Sequence, residues 1–371
     1  MSIRKIVHLT SVHTRYDTRI FLKECRSLAV AGYDVTLVVA DGNGNEVCDG
    51  VHIIDVGKPR GRASRMLRTV SRIHSVAIEL NADVYHLHDP ELLWIAGKLH
   101  RANENARVLF DSHEDVPRQI LSKQWVPAPL RHITSFGVEF IESRVVRKLN
   151  GVVAATPHIA KRFREINSRT VDINNYPMPD ELVLASRDML VRRRQVCYVG
   201  SITKARGIEP LIRALPLIPD VALVLCGRFH ESKFEAAMRA LPGWAQVDYR
   251  GHVGREEVKR VLAESSAGVV TLLPTRAYVD ALPVKMFEYM SAEVPVVASD
   301  FPLWRKIVDD AGAGVCVDPQ CPEAISAAIS RLLDDSIAIG SMGKAGRAAV
   351  LEKYNWPHEA AKLVAFYGSL Q

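Results

Sequence analysis

Short apolar segments alternate with amphipathic segments along most of this chain, and this alternation limits the fold more than any single motif. Apolar runs of about four to eight residues are typical of strands, and apolar residues at three- and four-residue spacing indicate helices. Val35–Ala40 is almost uniformly apolar, as expected of a parallel strand covered by helices on both faces. Gly32 ends the preceding helix. In the first half the pattern predicts strands near residues 4–10, 34–40, 51–55, 83–88, 106–110 and 151–155, and helices near 17–31, 63–80, 90–102, 130–149 and 157–166.

A second series of the same kind begins at Gln195–Gly200, and residues 172–194 between the two series are predicted to be an interdomain linker. Two such series predict an α/β chain with two doubly wound, Rossmann-like sheets. Because ligands bind at the carboxyl ends of the strands in open sheets, we expect the chemistry in a cleft between two facing domains. The later strands are predicted near 195–200, 221–226, 246–250, 267–273, 295–299 and 314–318, and the later helices near 207–217, 231–240, 254–264, 283–292, 302–310 and 322–334.

The composition is that of an ordinary globular protein and excludes several other classes. The 371 residues, 48% hydrophobic and 24% charged, suggest two domains and exclude a disordered or collagen-like chain. The six cysteines are too few for a disulfide scaffold and match no zinc-finger spacing, so we expect reduced thiols. No apolar run approaches the roughly 18 residues that cross a bilayer, and the N-terminus lacks a signal-peptide core. The sequence therefore predicts a cytoplasmic protein.

Positive charge is concentrated in the first half of the chain. Residues 1–170 hold 25 Lys and Arg against 18 Asp and Glu, whereas the remainder is close to neutral. Arg65, Arg68 and Arg72 recur at helical spacing beside apolar residues, and a second basic segment covers 131–148. A basic amphipathic helix can lie on an anionic membrane, and it can equally be a solvated helix face. No nucleic-acid motif accompanies these segments, so we expect no nucleic-acid partner.

The segment from Leu273 to Ala292 is the most informative for chemistry. A strand ends in a polar loop, and a helix begins near Pro283, where a missing N–H costs nothing. The amides of Val284, Lys285 and Met286 and the helix dipole predict an anion site suited to phosphate. Asp280 and Glu288 flank this site, and a carboxylate suits the hydroxyl pair of a sugar or ribose.

Here the sequence resembles the retaining glycosyltransferases of family 4, of the bacterial surface-polysaccharide type, which have the GT-B fold. The motif is an acidic residue, seven residues, then Glu, followed by Pro-Val-Val, and this chain has Asp280, Glu288 and Pro295-Val-Val. The resemblance covers essentially the whole chain, from His13–Arg19 to the end near Trp356. It implies an acceptor-binding domain, a nucleotide-sugar-binding domain and a C-terminal helix that crosses back to the first domain. We place these at residues 1–175 with 356–371, and at 190–350.

The resemblance also implies roles for residues of the second domain. Glu288 would bind ribose hydroxyls and Asp280 the hydroxyls of the donor sugar. In the family a Gly-Arg and then a Lys-Gly grip the diphosphate, where this chain has Gly200-Ser201 and Arg206-Gly207. Ser201 replaces the usual Arg, so either Lys204 or Lys285 would compensate. The predicted donor-binding residues are therefore Gly200, Ser201, Lys204, Arg206, Leu282, Pro283, Val284, Lys285 and Glu288.

In the first domain the resemblance points to His113, which follows the strand 106–110 and would lie near the donor sugar and the attacking hydroxyl. Together with Asp280 and Glu288 it forms the predicted catalytic set. Asp89 also follows a strand, but its simplest role is to cap the helix that begins at the next residue. The family's glycine-rich loop is absent after the first strand. We expect Arg15, Tyr16, Asp17 and Arg19 to contact the acceptor or a phosphate instead.

The expected reaction is glycosyl transfer from a nucleoside diphosphate sugar to a glycan or polyprenyl-diphosphate-linked acceptor. Cations must stabilise the charge that develops on the leaving diphosphate, and Arg206, Lys285 and the helix start would supply them. No Asp-x-Asp pair occurs in the chain, so we expect no metal and no other cofactor. Retention of configuration is implied by the resemblance alone.

Several other functions remain as alternatives at this stage. A nucleotide-sugar epimerase of the same fold would consume the donor without an acceptor. A phosphorylase would need a lysine for pyridoxal phosphate, for which Lys285 could be mistaken. A non-catalytic sugar-nucleotide-binding subunit is a further alternative. A dehydrogenase would require Gly-x-Gly-x-x-Gly after the first strand, and Ser11–Tyr16 contains no glycine.

Overall fold

A computed structural model of the chain describes residues 3–121, 126–184 and 193–370. The chain forms two compact units, Met1–Asn175 with Trp356–Gln371, and Tyr176–Asn355. Each unit is built on a largely parallel sheet covered by helices on both faces. The two Rossmann-like sheets predicted from the sequence are therefore confirmed.

The sheet of the first unit has eight strands in the order β3-β4-β2-β1-β5-β6-β7-β8, and all pairs are parallel except β3 with β4. Its strands are β1 (Lys5–Leu9), β2 (Asp34–Val39), β3 (Glu46–Cys48), β4 (Val51–Asp55), β5 (Val84–Leu87), β6 (Arg107–Ser112), β7 (Gly151–Ala154) and β8 (Thr170–Asp172). Its helices are α1 (Ile20–Cys25 continuing as Arg26–Val30), α2 (Arg62–Ser64, Arg65–Thr69 and Val70–Leu80 in one run), α3 (Leu93–Ala102), α4 (Val116–Ile120), α5 (Ala128–Val146), α6 (Pro157–Arg164) and, at the end of the chain, α14 (Trp356–Gly368).

Alternation along the strands divides the core of the first unit into two layers. Val7 of β1 belongs to the layer under α2 and α3, whereas its neighbour Ile6 belongs to the layer under α1 and α14. Trp356 and Tyr367 of α14 are fully buried in this second layer. Burial of these large aromatic groups joins the last helix to the first unit.

The second unit has six parallel strands in the order β11-β10-β9-β12-β13-β14. They are β9 (Arg193–Val199), β10 (Ala222–Cys226), β11 (Val247–Gly251), β12 (Ser265–Val270), β13 (Val296–Ser299) and β14 (Gly314–Val317). The helices are α7 (Ile208–Ala214), α8 (Ser232–Arg239), α9 (Arg255–Glu264), α10 (Val284–Ser291), α11 (Pro302–Ala311), α12 (Pro322–Leu333) and α13 (Ser336–Glu352). Short 3₁₀ turns cover Pro90–Leu92, Lys204–Arg206, Leu215–Leu217 and Pro242–Gln246.

The structure corrects the sequence-based boundaries in several places. Strands β3 and β8 and helices α4 and α13 were not predicted, and β12 ends at Val270 rather than at 273. The predicted linker 172–194 is partly structured, because Asp172 belongs to β8, Tyr176 and Leu182 pack into the core of the second unit and β9 begins at Arg193. Residues 185–192 of that linker lie outside the described residues.

Two composition-based expectations can be compared with the structure. All six cysteines are free thiols, and Cys25, Cys197 and Cys226 are buried. In the described part of the chain, no helix combines the length and the apolar character that crossing a bilayer requires.

Candidate active site

The loop after β9 depends on two glycines. Gly207 has a φ of +72°, and a Cβ there would come within 1.7 Å of the carbonyl oxygen of Thr271. Gly200 has a φ of +135°, and a Cβ there would lie 2.9 Å from Nζ of Lys285. Only glycine allows this backbone direction without strain. The missing side chain at Gly200 therefore makes room for the lysine ammonium at the carboxyl end of the strand.

The amine of Lys285 occupies that space and is buried. Its Nζ lies 3.7 Å from the centroid of the Tyr198 ring, and it has no hydrogen-bond partner among the described residues. Burial lowers the pKa of Lys285 well below its ordinary value, the nearby Arg206 lowers it further, and Glu288 acts in the opposite direction. A buried amine without an acceptor is costly in the empty protein, so this position is suited to an anion supplied from outside.

Arg206 and Lys204 lie on the turn Lys204–Arg206 beside this position. The guanidinium carbon of Arg206 is 5.1 Å from the centroid of the Tyr278 ring, which holds its planar head. Ser201 is exposed, and its carbonyl accepts a hydrogen bond of 2.7 Å from the hydroxyl of Tyr198. The structure thus brings Arg206 and Lys285 into electrostatic contact, as the predicted diphosphate site requires.

Helix α10 begins at Val284, directly after Pro283, and carries both Lys285 and Glu288. The amide of Met286 donates to the carbonyl of Pro283 at 3.0 Å. Met286 is therefore a correction to the predicted anion site, because its N–H is already used. Asp280 is exposed in the turn before the helix, while Leu282 packs at the edge of the core.

Glu288 faces a cation in this structure. Its side chain is 15% exposed and accepts a hydrogen bond of 2.9 Å from Nη1 of Arg255, which also pairs with Glu181. Arg255 was not singled out from the sequence. A ribose diol at Glu288 would have to share this carboxylate with Arg255 or displace it.

In the first unit, Asp111 at the end of β6 is the centre of a buried polar cluster. It accepts two hydrogen bonds from Arg19, at 2.9 and 2.8 Å, and lies 2.8 Å from Nε2 of His113. His88 lies 3.2 Å from both Asp111 and His113. Burial would raise the pKa of Asp111, but Arg19 and then His113 lower it well below its ordinary value. The predicted catalytic His113 is thus oriented by an ionised carboxylate.

The sequence did not point to the other members of this cluster, which are His8, Glu24, His86 and His88. Nδ1 of His8 lies 2.8 Å from Nε2 of His88, and Nδ1 of His86 lies 2.7 Å from the hydroxyl of Tyr367. The signal in the sequence that could have indicated part of the cluster is the alternating pair His86, in β5, and His88, directly after it.

Two groups in this cluster have the donor atoms of a metal site. The potential ligand atoms of His8, Glu24, His86 and His88 lie within 4.8 Å of one another, and so do those of His88, Asp111 and His113. Arg19 lies 3.1 Å from Glu24, and a fixed cation at that distance disfavours a metal ion. Burial raises the pKa of Glu24 well above its ordinary value, and Asp111 raises it further.

The loop after β1 is held by Asp89. Its carboxylate accepts hydrogen bonds from the hydroxyl of Thr10 at 2.8 Å and the amide of Ser11 at 2.6 Å. Asp89 makes no side-chain capping bond to the helical turn that follows it, so the expected capping role is wrong. His13 in the same loop lies 3.1 Å from Asp17, and its ring centroid is 5.0 Å from that of His113. The sequence did not point to His13 as a second histidine beside His113.

The predicted acceptor residues divide into buried and exposed side chains. Arg15 is buried and pairs with Asp41 and Glu46, each at 2.8 Å. Arg19 is buried against Asp111, and Asp17 accepts from the amide of Arg19 at 2.9 Å. Tyr16 is 49% exposed. The two arginines are therefore engaged by the protein itself, and the hydroxyl of Tyr16 also donates to Glu46 at 2.9 Å although the side chain is exposed.

Comparison with known proteins identifies a family domain in each half of the chain. The family described as glycosyl transferases group 1 matches residues 188–349, and the glycosyl transferase 4-like domain matches residues 18–175. The chain therefore belongs to the family 4 type of glycosyltransferases with the GT-B fold.

Individual relatives are similar over part of their length. The α-maltose-1-phosphate synthase of Mycolicibacterium smegmatis is 29% identical over 205 residues, which is 52% of this chain and 52% of that protein. The phosphatidyl-myo-inositol mannosyltransferase of the same organism is 26% identical over 180 residues, covering 47% of this chain and 45% of that protein. The alignments thus span about half the length of these relatives.

Solved structures match the whole chain at lower identity. The sucrose-phosphate synthase of Thermosynechococcus elongatus has a TM-score of 0.76 at 19% identity and covers 99% of both chains. HepE of Anabaena, solved in complex with UDP, has a TM-score of 0.74 at 13% identity and covers 98% of this chain and 100% of that chain. At such identities the likeness establishes the fold.

Proposed function

We propose that this protein transfers a glycosyl group from a nucleoside diphosphate sugar to a glycan or lipid-linked glycan, with retention and without a metal ion. The observation that carries the proposal is the buried amine of Lys285, which lacks a hydrogen-bond partner among the described residues and lies near Arg206. A diphosphate would supply the missing acceptors for both cations. HepE, similar in fold, was solved with UDP-glucose as well as with UDP, which supports this class of donor.

In the proposed reaction, the bond between the anomeric carbon and the diphosphate oxygen breaks while the acceptor oxygen bonds to the same carbon. The electron pair goes to the diphosphate, whose developing charge Lys285 and Arg206 stabilise. The proton of the acceptor hydroxyl passes to the departing phosphate oxygen. Glu288 would hold the ribose, Asp280 the donor sugar, and His113 would position the reacting groups. No metal is needed for this charge balance.

The acceptor is proposed by class. The relatives include a phosphatidyl-myo-inositol mannosyltransferase, whose name denotes a lipid acceptor. The first unit of this chain holds the excess positive charge, which suits an acceptor attached to an anionic membrane through a diphosphate. We therefore propose a role in the assembly of cell-surface polysaccharide at the inner face of the membrane.

The decisive experiment compares Glu288→Gln with Glu256→Gln, whose carboxylate is 77% exposed. Thermal-shift screening of nucleoside diphosphate sugars first names the donor. We then expect Glu288→Gln to lower kcat/KM for transfer about 10- to 100-fold, as loss of a charged hydrogen bond does. Equal activity of the two variants would contradict the assignment. Donor consumption that needs no acceptor and yields an isomeric nucleotide sugar would indicate an epimerase instead.

A further inference from the structure

Helix α5 (Ala128–Val146) has its polar and apolar sides reversed relative to an ordinary surface helix. Ser135 and Glu142 face the protein and are 4% and 3% exposed. Toward solvent the helix presents Leu130, Ile133, Phe136, Phe140 and Ile141, which are 49%, 70%, 72%, 59% and 45% exposed. We call these five residues the outer face of α5. Their three- and four-residue spacing aligns them in one stripe.

The inward side of the helix is held by specific polar contacts. The hydroxyl of Ser135 donates to the carbonyl of Pro117 at 2.7 Å, and Arg162 donates to Glu142 at 2.7 Å. Arg118 donates to Glu139 at 2.8 Å. These bonds fix the rotation of the helix, so the apolar stripe is exposed because its opposite side is already satisfied.

Two neighbouring helices add to the same surface. Helix α3 packs against both α2 and α5, and α2 and α3 follow strands β4 and β5 of the parallel sheet. The first turns of α2 and α3 therefore lie toward the edge where the strands end, the edge that also carries His113. Near these helix starts, Trp94 is 65% exposed and Leu67 is 74% exposed. Leu67 and Trp94 thus lie toward the edge that carries His113, and the outer face of α5 belongs to a helix that packs against α3.

The charge around this surface is positive. Between Val56 and Ile78 the chain has no acidic residue, and Arg60, Arg68 and Arg72 in that segment are exposed. On α5 Glu142 is buried against Arg162 and the partly exposed Glu139 is paired with Arg118, whereas Arg144 is exposed. Aromatic and aliphatic side chains surrounded by arginines match the boundary between lipid headgroups and acyl chains. A symmetric contact with a second copy would instead bring these arginines against one another.

We propose that the outer face of α5, with Leu67 and Trp94, docks on an anionic lipid bilayer, and that Phe136 and Phe140 insert at the headgroup–acyl boundary. The docking surface is independent of the donor site. It would bring the edge of the sheet that carries His113 to the membrane, where a lipid-linked acceptor is anchored.

The test is co-sedimentation of the full chain with vesicles of phosphatidylcholine, with and without phosphatidylglycerol. We expect binding to the anionic vesicles, weakened by salt, and a loss of at least about tenfold in the double variant Phe136→Ser/Phe140→Ser. The matched control is Leu217→Ser/Ile337→Ser, which removes side chains that are 53% and 83% exposed in the second unit. Thermal melting establishes that both variants fold.

Each outcome bears on the proposal. It is overturned if the wild type does not bind anionic vesicles, or if the two double variants bind equally well. It is also overturned if the wild type forms a dimer in solution that Phe136→Ser/Phe140→Ser abolishes, because a second copy then covers the face. Binding of nucleoside diphosphates, measured on the same variants, reports on the proposed function separately and should be unchanged.

Discussion

The two units differ in whether a buried basic side chain has hydrogen-bond partners in the protein. In the first unit Arg19 is 4% exposed and donates to both oxygens of Asp111 and to the carbonyl of Ile173. In the second unit Lys285 is 8% exposed, and its Nζ has no hydrogen-bond partner among the described residues. Burying a cation is unfavourable unless it is paired. The first arrangement is paired within the protein, whereas the second would gain its missing acceptors from the anion that we propose as ligand.

This difference indicates which charges serve the fold and which serve binding. A paired buried charge fixes neighbouring strands and loops, and removing one partner leaves the other uncompensated. An unpaired buried amine lowers the stability of the empty protein, and that loss is recovered on binding. Substitutions of the two cations should therefore change different measurable quantities.

The largest effect is expected for Arg19→Met. The substitution leaves the buried carboxyl groups of Asp111 and Glu24 without their cation, which costs about 3–5 kcal/mol of folding free energy. Thermal and urea unfolding would measure the loss. The control is Arg26→Met, whose pair with Asp49 is 45% and 48% exposed and is worth at most about 1 kcal/mol. If Arg19→Met and Arg26→Met have the same free energy of unfolding, the cluster around Asp111 does not contribute to the stability of the fold.

Lys285→Met should have the reverse effect of Arg19→Met, because it should weaken ligand binding without lowering the stability of the protein. We expect binding of UDP, GDP or ADP, whichever the wild type prefers, to weaken about 10- to 100-fold because a charged hydrogen bond is lost. The melting temperature should stay the same or rise, since a buried amine has been replaced by a side chain of similar length. Titration calorimetry of the nucleotide into Lys285→Met and into Lys204→Met decides which lysine takes the place of the arginine that the family usually has where this chain has Ser201. Weaker binding in Lys204→Met alone would assign the role to Lys204.

The pH dependence of stability provides a further control on Lys285. Because its pKa is lowered in the folded protein, the unfolded chain binds more protons. This lysine therefore contributes stability that rises with pH, up to the ordinary lysine pKa of about 10.4. Lys285→Met should lack that part of the slope. An identical slope in both proteins would mean that the lysine is charged in the empty site.

The sequence predicted those parts of the site that lie close together in the chain. Asp280, Lys285 and Glu288 occupy one loop and helix, so their spacing alone indicated a site. The histidine cluster as a whole could not be predicted, because His8 and His86 come from strands whose pairing depends on the strand order of the sheet. The sequence also could not predict that the apolar side of α5 faces solvent, because the rotation of a helix depends on packing partners distant in the chain.

The smallest effect is expected at Arg255. Its side chain is paired but partly exposed, so it is intermediate between the buried, paired Arg19 and the buried Lys285. Its side chain is 43% exposed, so its pair with Glu288 is worth at most about 1 kcal/mol. Arg255→Gln should free the carboxylate for the ribose and lower KM for the donor by up to about fivefold, with kcat unchanged. Steady-state kinetics with Arg260→Gln, a 64% exposed neighbour on the same helix, would check this. A rise in KM of tenfold or more would instead show that Arg255 itself contributes to binding the donor, beside the carboxylate proposed to hold the ribose.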